Sequence, residues 1–363
     1  MKIIVIGTRG IPDILGGVET HCEALYPRLV QLGINVTITR RKSYISSSNI
    51  RKIYKEVKLV DIFSPKLKSI EAFVHTFLAV IYAKQKRFKY IHIHAIGPSL
   101  VIPFARLLGI KVVMTHHGPD YDRQKWGKLA KASLKLGEWC AAKFANEIIV
   151  ISNTINSLLK EKYKRFDAHL IPNGVTIPVL SNSEAYIKNL NLEAKKYIIA
   201  VGRFVPEKGF HDLIEAYLKS GVKEKLVLVG DSDHESTYSK SLKEMAINNG
   251  IVLTGFIKGE NLNEIFSHAA LFVMPSYHEG LPIALLEALS YNLNVLVSNI
   301  PANMEVNLKA ERYFQVGNIE EMAEKISKMV SITKGYNYHD ILTERYNWDT
   351  IAKQTEKVYQ KLK

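Results

Sequence analysis

The chain alternates two hydrophobic rhythms. Short continuous apolar runs mark strands buried on both faces. Longer stretches with apolar positions every three or four residues mark helices with one buried stripe. KIIVIG (2–7) reads as a first strand, and VETHCEALYPRLVQLG (18–33) as a helix closed by glycine. INVTITR (34–40), YIHIHA (90–95), IKVVMTHHG (110–118) and NEIIVIS (146–152) read as further strands. Helical spacing falls between them at 69–88, at 98–109 (where Pro103 can interrupt it) and at 128–145. IPNGV (171–175) is a turn, and the polar residues 178–195 mark a linker. The rhythm then restarts with the strand KYIIAVGR (196–203) and the helix FHDLIEAYLK (210–219). KLVLVGD (225–231), IVLTGF (251–256), ALFVMPS (270–276) and NVLVS (294–298) continue it as strands, and the amphipathic tail 349–363 predicts a last helix. Strand–helix–strand order repeated in both halves predicts an α/β protein of two doubly wound parallel sheets. The expected domains are 1–178 and 196–345, joined by a linker over 179–195. A final helix, 346–363, can pack back on the first domain.

Composition sharpens this frame. With 363 residues, 47% of them apolar, two domain cores are expected. There is no run of about 18 uncharged apolar residues to suggest a membrane span, and MKIIVIGTRG reads as a strand rather than a signal peptide. Cys22 and Cys140 lack metal-site spacing and fit buried thiols in a reducing cytoplasm. Charge is uneven. Residues 1–180 hold 28 Lys+Arg against 12 Asp+Glu, a net of +16, and residues 181–363 hold 21 against 23, a net of −2. Phosphate is the natural partner of such a basic half. Zinc-finger spacing, a single-strand-binding aromatic pattern and a basic tail are all missing, so nucleic acid is not the expected source of that phosphate.

In doubly wound sheets, ligands bind beyond the strand C-termini, which singles out the loops there. Gly16 and Gly17 immediately precede a helix, so their amides can approach a phosphate with no side chain in the way. The spacing of GTRGIPDILGG matches neither the dinucleotide fingerprint nor a P-loop. In GRFVPEKG (202–209), Arg203 and Lys208 place two cations at a strand-to-helix loop, a fit for a diphosphate. Glu279 and Glu287, eight positions apart in YHEGLPIALLE, lie at a strand mouth and within the next, apolar helix. Carboxylates there can accept hydrogen bonds from the hydroxyls of a ribose or a sugar ring. His117 ends a strand just before Gly118, although His116 could equally be the one that faces a ligand. No residue set has credible metal-ligand spacing, so no metal and no tightly held cofactor is expected.

Taken together, GGVET (16–20), THHG (115–118), IPNGV (171–175), GRFVPEKG (202–209) and Glu279-x7-Glu287 resemble the retaining glycosyltransferases of family four. GTRGIPDILGGVET and YDRQKWG (121–127) further resemble a bacterial rhamnosyltransferase-like polysaccharide subgroup. The resemblance implies a GT-B fold, with two Rossmann-like domains facing a central cleft. It also implies a nucleotide-sugar donor (UDP-, GDP- or dTDP-linked) as substrate. Gly16 and Gly17 would then lie under the donor phosphates, with Arg203 and Lys208 on the leaving diphosphate. His117 and Glu279 would meet the transferred sugar, Gly280 and Leu281 would line the same donor site, and Glu287 would hold the ribose. Partners implied are a saccharide acceptor, on a polyprenyl-diphosphate carrier, and an anionic membrane at the inner face of the cell membrane. Nucleotide-sugar epimerases and non-enzymatic scaffolds of similar architecture are the rival readings.

Overall fold

The computed structural model describes residues 1–65, 70–122, 127–232, 235–332 and 336–363. Ser69, the first residue of the expected helix 69–88, and residues 123–126 of YDRQKWG lie outside the described residues. The chain forms two compact units, Met1–Gly174 with Tyr346–Lys363, and Val175–Arg345.

The first unit is built on β1 (Lys2–Ile6), β2 (Asn35–Arg41), β3 (Ile53–Tyr54), β4 (Val57–Ile62), β5 (Tyr90–His94), β6 (Lys111–His116), β7 (Glu147–Val150) and β8 (His169–Leu170). Its helices are α1 (Gly17–Gln31), α2 (Glu71–Gln85), α3 (Ile102–Leu107), α4 (Lys128–Phe144) and α5 (Asn153–Tyr163). The eight strands run in the order β3-β4-β2-β1-β5-β6-β7-β8. All neighbours pair parallel except β3 and β4. β1 is central because all but its first residue are buried on both faces, as its unbroken apolar run requires. The expected helix over 98–109 opens as a 3-10 turn, Pro98–Val101, and Pro103 sits in the first turn of α3, where its missing N–H costs nothing.

The second unit carries α6 (Ala185–Asn189), β9 (Tyr197–Val201), α7 (Phe210–Ser220), β10 (Lys225–Val229), α8 (Thr237–Asn248), β11 (Val252–Gly255), α9 (Gly259–His268) and β12 (Leu271–Met274). It continues with α10 (Ile283–Ser290), β13 (Asn294–Ser298), α11 (Pro301–Met304), β14 (Tyr313–Phe314), α12 (Ile319–Met329) and α13 (His339–Arg345). Its strands are ordered β11-β10-β9-β12-β13-β14. α6 falls inside the segment read as a linker and is anchored there by buried Ile187, whose backbone N–H donates to Glu264 at 2.9 Å. The last helix, α14 (Trp348–Gln360), belongs to the first unit, where Ile351, Val358 and Tyr359 join the core of α1 and β1.

Both sheets reverse direction about their first strand. In the first unit the reversal lies between β1 and β5, and in the second between β9 and β12. A crevice opens at such a switch point, and ligands of doubly wound sheets sit there. Gly7 follows β1 with φ 95°, and a Cβ on it would come within 2.5 Å of the His94 carbonyl oxygen. Glycine is what lets the two strand ends close up. Among the described residues, no helix is long and apolar enough to cross a membrane.

Candidate functional site

The second unit gathers its expected residues around its switch point. Arg203 and Lys208 lie in the loop after β9, and Glu279 lies in the loop after β12. The two loops interlock at Gly209, the residue before α7, which has φ 66° and whose Cβ, if present, would meet the Pro275 carbonyl at 2.4 Å. Lys208 Nζ donates to Glu279 Oε1 at 2.5 Å, and Ser276 Oγ donates to the same oxygen at 2.7 Å. Both partners are largely buried, with side-chain exposures of 17% and 12%. The expected diphosphate cation and the expected sugar carboxylate are therefore paired with each other. A ligand with a phosphate and hydroxyls can divide that pair, since a phosphate competes for the cation and sugar hydroxyls for the carboxylate. Arg203 is half-buried in the same loop. Gly280 follows Glu279 directly, and buried Leu281 leads into α10.

Glu287 sits within α10 among Leu285, Leu286, Ala288 and Leu289, all buried. Its carboxylate has no hydrogen-bond partner among the described residues. Although the residue keeps some exposure, desolvation pushes its pKa up to about 7, against a weaker opposing pull from Lys258. A carboxylate so poorly served by its own protein is an acceptor waiting for donors.

The first unit places Gly16 at the N-cap of α1 with φ 146°. That φ favours glycine, and a Cβ there would also displace the Glu19 carboxylate, whose Oε2 would lie 2.1 Å away. Gly17 begins the helix and is exposed. The loop already holds one anion of its own, because Glu19 accepts from Arg9 N–H at 3.0 Å and from the Thr8 hydroxyl at 3.2 Å. His116 and His117, the two expected candidates, differ in their partners. His116 is buried. Its Nδ1 accepts from Gly118 N–H at 3.1 Å, so its Nε2–H donates to Glu138 at 3.0 Å. Glu138 is a hub that also accepts from Lys162 and Tyr163 at 2.6 Å each and from Tyr121 at 3.2 Å. Burial opposes its ionisation, but these partners together, His116 first, hold its pKa down at about 2. His116 thus anchors the end of β6. His117 is the half-buried member of the pair, with Nε2 at 2.8 Å from His94 Nδ1.

Sequence reasoning did not single out Glu19 and Asn173 within GGVET and IPNGV, nor His21, His94 and Glu138, which lie in helices and a strand outside the loops it read. His92 and His94 share one side of β5 by alternation, and that was the available clue. His21, His94 and His117 converge, with one ligand-capable nitrogen from each inside a 4.8 Å circle. Burial keeps all three neutral, His21 at about 4 and the other two well below the usual range. Three neutral imidazoles form a ligand set that a zinc-type ion can use. The same desolvation that rejects a proton also opposes a dication there, and no carboxylate joins the group among the described residues.

Comparison with known proteins covers both units. Residues 15–177 match the family described as Glycosyltransferase Family 4, and residues 182–340 match Glycosyl transferases group 1. The chain is 27% identical, over 75% of its length and 77% of the relative's, to the capsular polysaccharide biosynthesis glycosyltransferase CapH of Staphylococcus aureus. It is 28% identical, over 61% of its length and 60% of the relative's, to the UDP-Gal:alpha-D-GlcNAc-diphosphoundecaprenol alpha-1,3-galactosyltransferase of Escherichia coli. Among solved structures it is similar to the sucrose-phosphate synthase of Thermosynechococcus elongatus, with a TM-score of 0.84, 21% identity and coverage of 99% and 98% of the two chains. It is also similar to Anabaena HepE in complex with UDP and glucose, with a TM-score of 0.81, 18% identity and coverage of 99% and 100%.

Proposed function

Because the chain is a glycosyltransferase of GT-B fold that takes its sugar from a nucleotide-sugar donor, we propose that it is a retaining enzyme of bacterial surface polysaccharide synthesis. It transfers a hexosyl or deoxyhexosyl group to a saccharide acceptor on a polyprenyl-diphosphate carrier. The observation that carries this reading is the second unit's switch point, where Lys208, Glu279 and Ser276 share one hydrogen-bonded group and Glu287 stands unpartnered. On donor binding, Lys208 and Arg203 turn to the diphosphate and neutralise the charge that grows on it as the anomeric bond breaks. Glu279, released from Lys208, accepts from sugar hydroxyls, while Glu287 accepts from the ribose diol. Gly280 and Leu281 line that position. Gly16 and Gly17 offer amides to the donor phosphates, and His117 meets the transferred sugar. The cations are supplied by side chains, so the chemistry runs without a divalent metal.

The lipid-linked acceptor is supported by the relative whose name contains a diphosphoundecaprenol acceptor, and by the net +16 of residues 1–180. An anionic cytoplasmic leaflet attracts such a surface, by about 1 kcal/mol for each Lys or Arg close to it. α2 and α4 add exposed Phe73, Phe77, Leu129 and Trp139 to that basic half. We therefore place the enzyme in the cytoplasm, peripheral on the inner face of the membrane. The HepE complexes favour trying UDP-sugars first. A thermal-shift and hydrolysis screen of UDP-, GDP- and dTDP-sugars tests the reading. Stabilisation by one nucleotide class with slow release of its diphosphate is expected. No stabilisation by any of them would contradict it.

A further inference from the structure

His117 is the outermost of a line of imidazoles and phenols that runs into the first unit. From His94 Nδ1, its partner, the line passes through the ring to His94 Nε2, which is 2.5 Å from the Tyr26 hydroxyl. That hydroxyl is 3.0 Å from His92 Nδ1, which is also 2.6 Å from the Tyr359 hydroxyl. The line ends where His92 Nε2 meets Thr115 Oγ1 at 2.7 Å. Tyr26, His92, His94, Thr115 and Tyr359 are all buried. Beside the line, His21 Nδ1 lies 3.0 Å from Asn173 Oδ1. That oxygen can only accept, so the His21 proton sits on Nδ1 and its buried Nε2 is a bare nitrogen without a partner. The His21 ring stands edge-on to His117 and His94, at centroid distances of 5.0 and 5.5 Å.

Desolvation keeps these rings uncharged, with His92 held at about 3 and His94 and His117 well below the usual value. A neutral imidazole has one N–H and one bare nitrogen, so the choices along the line are linked. If Tyr26 donates to His94 Nε2, His94 donates from Nδ1 to His117 Nε2, and the His117 proton is on Nδ1. If His94 donates to Tyr26, each of these bonds reverses and His117 Nδ1 is bare. A change at His117 alone would set two N–H groups, or two lone pairs, against each other at 2.8 Å. Protonating either ring is blocked by the same dry surroundings.

We propose that His94, backed by Tyr26, is a positioning residue that fixes which ring nitrogen of His117 carries the proton, and so whether His117 offers the sugar a donor or an acceptor. The consequence for turnover rests on the reading of His117 as a sugar contact. The coupling of the two rings does not, so the two can fail separately.

The test is nitrogen NMR of the full chain with labelled histidine, the His117 signals being identified by their loss in His117→Gln. In the wild type His117 is expected to show a single neutral tautomer from mildly acidic to mildly alkaline pH. In His94→Phe it should average over both tautomers. Tyr26→Phe, which keeps the ring shape, should shift His117 in the same sense and serves if His94→Phe does not fold. A tautomer mixture in the wild type, or an unchanged His117 in both variants, would overturn the proposal. So would a stoichiometric zinc ion held by His21, His94 and His117, since it would replace the shared proton. Turnover should fall tenfold or more in His94→Phe while binding of the nucleoside diphosphate selected by the screen, measured by calorimetry, stays unchanged. A shifted tautomer with unaltered turnover would leave the coupling intact and remove His117 from the sugar site.

Discussion

Replacing Glu287 with Gln should stabilise the empty protein and weaken its hold on nucleotide. Burial in α10 raises this carboxyl from 4.5 to about 7. The folded chain therefore binds the proton more tightly than the unfolded chain does. Stability is greatest below the unfolded pKa and declines as pH rises through the folded one. The shift corresponds to about 3 kcal/mol withheld from stability at pH 8. Gln has nearly the same shape and no charge, so Glu287→Gln should recover most of that at pH 8 and little at pH 5. Binding should show the opposite sign. Only the carboxylate accepts from both hydroxyls of a ribose, so wild-type affinity should fall about tenfold between pH 8 and pH 6. The phosphates of UDP also titrate, at about 6. The informative quantity is thus the ratio of wild-type to variant affinity, measured by calorimetry at each pH, with urea unfolding run on the same samples. Beside this carboxyl, Tyr291, raised to about 12 by burial and then by Glu287 itself, stays neutral across that range. Equal stability of the two proteins at pH 8 would refute the desolvated carboxylate, and a ratio flat with pH would refute its part in binding.

The remaining expectations concern the cations, the β6 anchor and the basic surface. Arg203→Ala and Lys208→Ala should each lower transfer by roughly 2–4 kcal/mol of transition-state stabilisation with the fold retained, and near-wild-type turnover in both would contradict the diphosphate role. Glu138→Gln should destabilise the first unit by about 3 kcal/mol near neutral pH, because it leaves Lys162 and His116 poorly served. The wild type should lose that advantage as pH falls from 4.5 towards 2, since its carboxyl is depressed in the folded state; urea midpoints that track each other throughout would oppose this. Vesicle co-sedimentation of the full chain should rise with the anionic lipid fraction and fall with salt, and equal binding to neutral vesicles would remove the membrane from the account.

How much of this was legible in the sequence depended on burial. β1 and β9 declare themselves because a strand buried on both faces is an unbroken apolar run. β3 and β4, at the edge of the first sheet, escape notice because RKIYKEVKLV mixes charge into them and only alternate positions are buried. α12, IEEMAEKISKM, hides in a polar composition although Met322 and Ile326 fill the second core. The candidate loops could be chosen because ligands of doubly wound sheets sit at strand ends, and both sheets show the reversal that opens a crevice there. Their partners were not identifiable. Lys208 and Glu279 are 71 positions apart, and His94 and His117 are 23 apart on neighbouring strands, so each pairing is fixed by sheet order that spacing alone does not carry.

The central claim is transfer with retention from a nucleotide sugar to a lipid-linked saccharide. Purified protein given the donor selected by the screen and a polyprenyl-diphosphate saccharide, in excess EDTA, tests it in one reaction. The account predicts acceptor-dependent release of nucleoside diphosphate and a product whose new linkage, read by NMR, keeps the anomeric configuration of the donor. An inverted linkage, release that ignores the acceptor, or activity that EDTA abolishes and magnesium restores would contradict it.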